Sequence, residues 1–201
     1  MSAPLSLLLR ELGAVPCEWP PVPDDGEGLL EALREASAGA DVVLTVGGAS
    51  MGERDAVHAL ARAGAVEAIR VALRPAKPFV LGRIFGVPLF GLPGNPAAAL
   101  AAFEELVRPA VLALMGRDPA PRTPAVATLR EPLRQPPGRL HLIRVEVWRH
   151  EGKLWARPAG SQGAGMIHSL ARANAWAVIP AAVEELAAGT EVEVRLLTDL
   201  R

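Results

Sequence analysis

Three short segments of this chain carry residue types and spacings suited to holding an anionic ligand. The first is Thr45-Val46-Gly47-Gly48-Ala49-Ser50-Met51-Gly52-Glu53-Arg54-Asp55. Its glycines let the backbone approach a ligand closely. Ser50, with Glu53 three residues on, has the spacing of a capping box that opens a helix. A helix N-terminus offers free N–H groups and attracts a phosphate. The same residues also suit a plain strand-to-helix turn, with Asp55 placed there by the helix dipole. The second segment, residues 68–103, holds no acid, whereas the overall acid content (22 of 201) would put about four there. It does hold Arg70, Arg74, Lys77 and Arg83. On one strand Arg70 and Arg74 would share a face, and Pro75 and Pro78 bracket Lys77 in extended backbone. Such cations suit an oxyanion or guard an edge strand. The third segment, Gly91-Leu92-Pro93-Gly94-Asn95-Pro96, is a rigid bent loop with Asn95 as N-cap and Pro96 in the first helical turn.

The elements that must position these loops are legible as alternating helix and strand signals. Leu5, Leu8, Leu9 and Leu12 lie at helical spacing before Gly13. Ala14 to Trp19 is a short strand candidate. Pro20, Pro21 and Pro23 make a loop to Asp24 and Asp25, and Leu29, Leu30 and Leu33 mark a helix ending near Gly39. Val42 to Val46 is a continuous apolar run, as in a strand covered on both faces. A helix is expected over Met51 to Ala63, and Ile69 to Arg74 reads as one strand. Phe79–Leu81 and Val87–Leu92 are strands separated by a Phe85-Gly86 turn. A helix then runs from Asn95 towards Met115, with Pro109 expected to kink or break it. All three ligand-type loops fall at strand-to-helix junctions, where open α/β sheets bind their ligands.

Gly116 to Pro124 is rich in proline and cannot be helix or central strand, so the domain boundary is expected there, giving residues 1–118 and 119–201. The second part reads as mostly strands. Leu140–Trp148 and Lys153–Ala156 flank the turn residues Glu151-Gly152, Met166–Arg172 is a short helix, and Trp176–Ile179 and Val192–Leu197 close the fold. His58, His141, His150 and His168 show no metal spacing, and no nucleophile elbow or P-loop lysine is present.

Composition narrows the classes. A net charge of −1 excludes a strongly basic nucleic-acid binder. The single Cys17 excludes a disulfide framework and a cysteine-based zinc cluster. No apolar run approaches a membrane span, and no signal peptide is read at the N-terminus, so the expected location is the cytoplasm.

Together the three segments resemble the MoeA and gephyrin E-domain family of molybdenum insertases. The family pattern is Ser-Gly-Gly-x-Ser-x-Gly-x-x-Asp, then Lys-Pro-Gly-Lys-Pro, then Gly-Leu-Pro-Gly-Asn-Pro. This chain has Val46 to Asp55, Arg74-Pro75-Ala76-Lys77-Pro78 and Gly91 to Pro96 in the same order. Arg144, Ser161 to Met166 and Ser169 to Asn174 are similar to the family's C-terminal β domain.

The resemblance implies a three-layer α/β/α molybdopterin-binding domain, lacking its first strand, followed by a small all-β domain. It implies binding of molybdopterin or its adenylate and participation in molybdate insertion, with Mg²⁺ as the divalent cation. Gly47, Gly48, Ser50 and Gly52 map to the glycine-rich ligand loop, and Pro93, Gly94 and Asn95 to the second loop. Asp55 maps to the acid supporting the cation, Arg74 and Lys77 to the basic pair near the oxyanion, and Arg144 to a ligand-binding position. Arg74 stands for a lysine, Ala76 for a glycine and Ala98 for a common serine. The family's Thr-Gly-Asp-Glu strand and two N-terminal domains have no counterpart, so the chain is expected to correspond to the C-terminal half of an insertase. It is expected to be a homodimer or other oligomer, with the N-terminal half of the enzyme as a further partner, and neither nucleic acid nor membrane. A non-catalytic molybdopterin-binding or dimerisation fragment is the alternative.

Overall fold

The computed structural model describes residues 2–22, 26–47, 65–120, 122, 124–163 and 166–198. They fall into two compact units. Met1–Val71 with Ala76–Pro119 form the first, and Ala72–Pro75 with Ala120–Arg201 form the second.

In the first unit, α1 (Ser2–Glu11) buries Leu5 and stops at Gly13, whose φ of 90° is the left-handed conformation glycine tolerates. Residues 14–22 carry no strand. The expected strand Ala14–Trp19 is thus absent, because Pro16 and Pro20 have no N–H to give a ladder. Helix α2 (Gly26–Ser37) buries Leu33. A four-stranded mixed sheet has the order β1 (Val43–Val46), β5 (Val87–Leu92), β4 (Pro78–Ile84), β2 (Ala65–Arg70). Leu33, Val43, Val66, Val80, Ile84 and Leu89 form its core. In β1 only Val43 is buried and Val46 is exposed, so this strand is less covered than its apolar run suggests. The β4–β5 hairpin turns at Phe85 and Gly86, both at positive φ (49° and 83°), the pairing that matches strand twist.

After β5, α3 (Pro96–Ala102) runs through a π-helical turn (Phe103–Val107) into α4 (Arg108–Leu114). The wide turn sits directly ahead of Pro109, which lacks the N–H to continue an ordinary ladder. The expected kink is realised there as an irregular turn. Ala99, Ala101, Ala102 and Val107 are fully buried, the small side chains allowing close approach.

The expected single strand Ile69–Arg74 is two. β2 ends at Arg70 in the first unit, and β3 (Leu73–Arg74) belongs to the second, where it pairs in parallel with β8 (Leu140–His150). The chain bends between them. The Val71 N–H donates to the Lys77 carbonyl at 2.9 Å, while the Ala72 carbonyl accepts from Leu140 N–H at 3.0 Å. Arg70 and Arg74 therefore do not share one strand face.

In the second unit β6 (Pro124–Leu129), β9 (Lys153–Pro158), β8, β10 (Ala175–Ile179) and β12 (Glu191–Leu196) pair in a ring, β10 meeting both β12 and β8. Closure removes open edges from these five strands. β7 (Leu133–Arg134) and β11 (Glu185–Leu186) form a separate pair. Alternation along β8 sends Ile143, Val145 and Val147 into the core with Ala156, Ala177 and Val194. Arg144, Glu146 and Trp148 occupy the other face. Helix α5 (Ile167–Arg172) lies between β9 and β10 in the chain.

Candidate functional site

In the first unit, the site begins with two adjacent parallel strands. β1 and β5 pair in register from Val43 with Leu89 to Val46 with Leu92, so both release their chains at the same sheet edge. The Gly47 N–H continues the pairing to the Leu92 carbonyl at 3.0 Å, and Gly47 then turns at a φ of 91°. The partner turn is Pro93-Gly94-Asn95. A Cβ placed on Gly94 would stand 3.5 Å from the Gly47 Cα, so the two turns meet through their backbones. Asn95 is in extended conformation, and its side-chain oxygen accepts the Ala98 N–H at 3.2 Å, starting α3.

Gly91 has a different duty. A Cβ there would lie 2.7 Å from the Val80 Cβ and 3.3 Å from the Thr45 hydroxyl oxygen. Its missing side chain lets β4 and β1 flank β5 closely and hold the strand that delivers Pro93. Pro93 is buried and Gly94 exposed. Gly48, Ser50, Gly52 and Asp55, and the expected helix Met51–Ala63, lie outside the described residues.

The two cations expected as a pair are assigned to different units. Lys77 is an exposed residue of the first, and Arg74 an exposed residue of β3 in the second. Between them the Arg74–Pro75 peptide is cis, and Ala76 is buried with a φ of 104°. Ala76 thus holds a conformation natural to glycine, the residue the family pattern carries here.

In the second unit, Arg144 is 1% exposed. Its guanidinium donates through Nη2 to the carbonyls of Ser161 and Gly163, both at 3.2 Å. Gln162 completes the attachment: its Oε1 accepts the Arg144 N–H at 2.9 Å and its Nε2 donates to the Arg144 carbonyl at 3.0 Å. Burial pushes the Arg144 pKa down, and its Nε has no hydrogen-bond partner among the described residues. Trp176, opposite Arg144 on β10, is buried with its Nε1 likewise unpartnered.

Next on the same face, Glu146 accepts from Arg157 (Nε 3.0 Å, Nη2 2.7 Å) on one oxygen and from Arg172 (Nε 2.7 Å) on the other. Asn174 adds a reciprocal pair with the backbone of Val147, at 2.7 and 2.8 Å. Reading by motif names Arg144, Gln162, Arg172 and Asn174 but misses Glu146 and Arg157. The available signal is alternation: a charged residue every second position of a strand marks one face.

His141 is buried; its Nε2 lies 2.9 Å from the Pro136 carbonyl oxygen. Burial first, and then the charges of Arg74 and Arg139, push its pKa down against that hydrogen bond. Among the described residues no cluster of three or more acids, histidines or cysteines could hold a metal ion, and no helix is long and apolar enough to cross a membrane.

An α/β unit with glycine turns meeting at neighbouring parallel strand ends, joined to a β-ring unit, defines a two-part protein. Residues 2–113 match the family described as the probable molybdopterin binding domain, and residues 126–197 match the MoeA C-terminal region, domain IV. The chain belongs to this molybdopterin-binding family and corresponds to the C-terminal portion of its MoeA members.

It is 31% identical to the molybdopterin molybdenumtransferase of Haemophilus influenzae, over 94% of this chain and 48% of that protein. It is 32% identical to molybdopterin molybdenumtransferase 2 of Mycobacterium tuberculosis, over 96% of this chain and 49% of that protein. The solved molybdopterin biosynthesis MoeA protein of Pyrococcus horikosii superposes with a TM-score of 0.80 at 32% identity, over 98% of this chain and 47% of that one. A molybdenum cofactor biosynthesis protein of Pyrococcus furiosus gives 0.77 at 28% identity, over 97% and 63%. The chain spans about half the length of the curated relatives it matches.

Proposed function

We propose that this chain supplies the molybdopterin-binding and C-terminal parts of a molybdopterin molybdenumtransferase, which inserts molybdate into molybdopterin delivered as its adenylate. The observation that carries this reading is the backbone meeting of Gly47 and Gly94 at the ends of β1 and β5, inside the span matched to the molybdopterin-binding family. A turn built of glycine, proline and a capped helix start leaves main-chain N–H groups free of side-chain shielding, and phosphate is their natural acceptor.

In this reading Gly47, Gly48, Ser50 and Gly52, with Pro93, Gly94 and Asn95, bind the pterin phosphate. Lys77 offsets the charge of molybdate, and Arg144 orders the loop at Ser161 to Gly163. Mg²⁺, supported by Asp55, would offset the charge of the adenylate. The functional division lies at 118/119, and the working form is a cytoplasmic homodimer.

The test is a calorimetric titration with molybdate. Lys77→Ala should weaken binding by about tenfold, the loss of one charge-assisted contact, while binding of molybdopterin changes much less. Equal molybdate affinity in variant and parent removes Lys77 from the site.

A further inference from the structure

The chain leaves the ring at the end of β9 and returns at β10, making an excursion that contains Ser161–Gly163 and α5. Arg157 is the penultimate residue of β9, on the way out. Arg172 is the last residue of α5, on the way back. Both reach the same carboxylate. Glu146 gives one oxygen to Arg157 and the other to Arg172, with closest contacts of 2.7 and 2.6 Å.

We propose that Glu146 is a positioning residue, a clamp that ties both stems of the excursion to β8 and so holds the loop gripped by Arg144 in a single conformation.

Three observations converge on it. Glu146 is two residues from Arg144 on β8, so the clamp and the Arg144 grip on Ser161 and Gly163 share one face of one strand. The neighbouring Asn174–Val147 pair fixes the return point through two further hydrogen bonds. Within the excursion, a Cβ on Gly160 would lie 3.7 Å from the Ser169 Cβ, and the Ser169 hydroxyl donates to the Met166 carbonyl at 2.8 Å. Loop and helix therefore pack on each other. Freeing one stem releases both.

The electrostatics give the clamp a sign with pH. Burial works to raise the Glu146 pKa, but the hydrogen bonds and charges of Arg157 and Arg172 outweigh it and hold the carboxyl below its ordinary value. The ionised form is therefore favoured by folding. Its contribution is complete above the ordinary glutamate range and is lost as pH falls through the lowered folded value. Arg157 and Arg172 are half-exposed (46% and 59%) while Glu146 is 20% exposed, so high salt weakens the clamp without abolishing it.

Hydrogen exchange on the whole chain at neutral pH tests the proposal. Glu146→Gln keeps the shape and removes the charge. Exchange of the Ala159, Met166, Ala173 and Asn174 amides, which donate to the carbonyls of Arg144, Gly163, Ser169 and Val145, should rise by about fivefold, the range of a network ion pair, with β4 and β5 unchanged. Arg172→Gln should reproduce this rise, and adding it to Glu146→Gln should give less than the product of the two effects. Glu146→Asp should restore most of the protection. Unchanged exchange in Glu146→Gln, or strictly multiplicative effects in the double variant, overturns the clamp.

Discussion

Gly47 and Gly94 meet through main-chain atoms alone, whereas Arg144 and Glu146 hold their loop through charged side-chain heads. The first arrangement needs absent side chains: Gly47 for its φ of 91° and Gly91 for the 2.7 Å gap to Val80. The second needs long side chains that reach across a face, from β8 to residues 157–172. A backbone-built loop tolerates little substitution but gives many N–H donors in a fixed array. A side-chain-built loop is adjustable, and it depends on charge, pH and salt. The two units thus fix a loop by opposite means.

The largest test of this contrast is Trp176→Ala. The side chain is 1% exposed at the strand opposite Arg144, and its loss should cost roughly 3–5 kcal/mol. Hydrogen exchange should rise throughout β8, β10 and the excursion while β4 and β5 keep their protection. An equal rise in β4 and β5 would break the division into two separately stabilised units.

Gly91→Ala is the counterpart in the first unit. The added methyl must displace Val80, at a cost of about 1–3 kcal/mol, and exchange should rise in β1, β4 and β5. Denaturant unfolding that matches the parent would show that the packing at Gly91 relaxes freely.

The smallest effect is expected at Ala76. Its φ of 104° suits glycine, so Ala76→Gly relieves strain while loosening the unfolded chain, a net gain below about 1 kcal/mol. A clear loss of stability would mean that the buried methyl matters more than the backbone strain.

The glycine turns were legible in the sequence because they are local. Each is written in a few consecutive residues, and strand-to-helix order alone places the turns after Val46 and Leu92 at one sheet edge. What remained hidden was non-local. The split of Ile69–Arg74 between two units depends on Leu140, about 70 residues away, taking the Ala72 carbonyl. The Glu146 clamp requires knowing that residues 146, 157 and 172 converge, which only the register of β8 with β9 and the return of α5 determine. The strand expected at Ala14–Trp19 failed for a local reason, prolines that outweigh the apolar residues around them.

Gly94→Val tests whether the turn where Gly47 meets Gly94 binds molybdopterin, as proposed above. Gly94 is exposed and not at positive φ, so valine leaves the fold intact while its methyls fill the space beside Gly47. Titration of molybdopterin, followed by pterin fluorescence or calorimetry, should show saturable binding to the parent chain and an affinity at least about tenfold weaker in Gly94→Val, a loss of roughly 1.4 kcal/mol. Equal affinity in the two proteins, or no binding by the parent, would contradict the account.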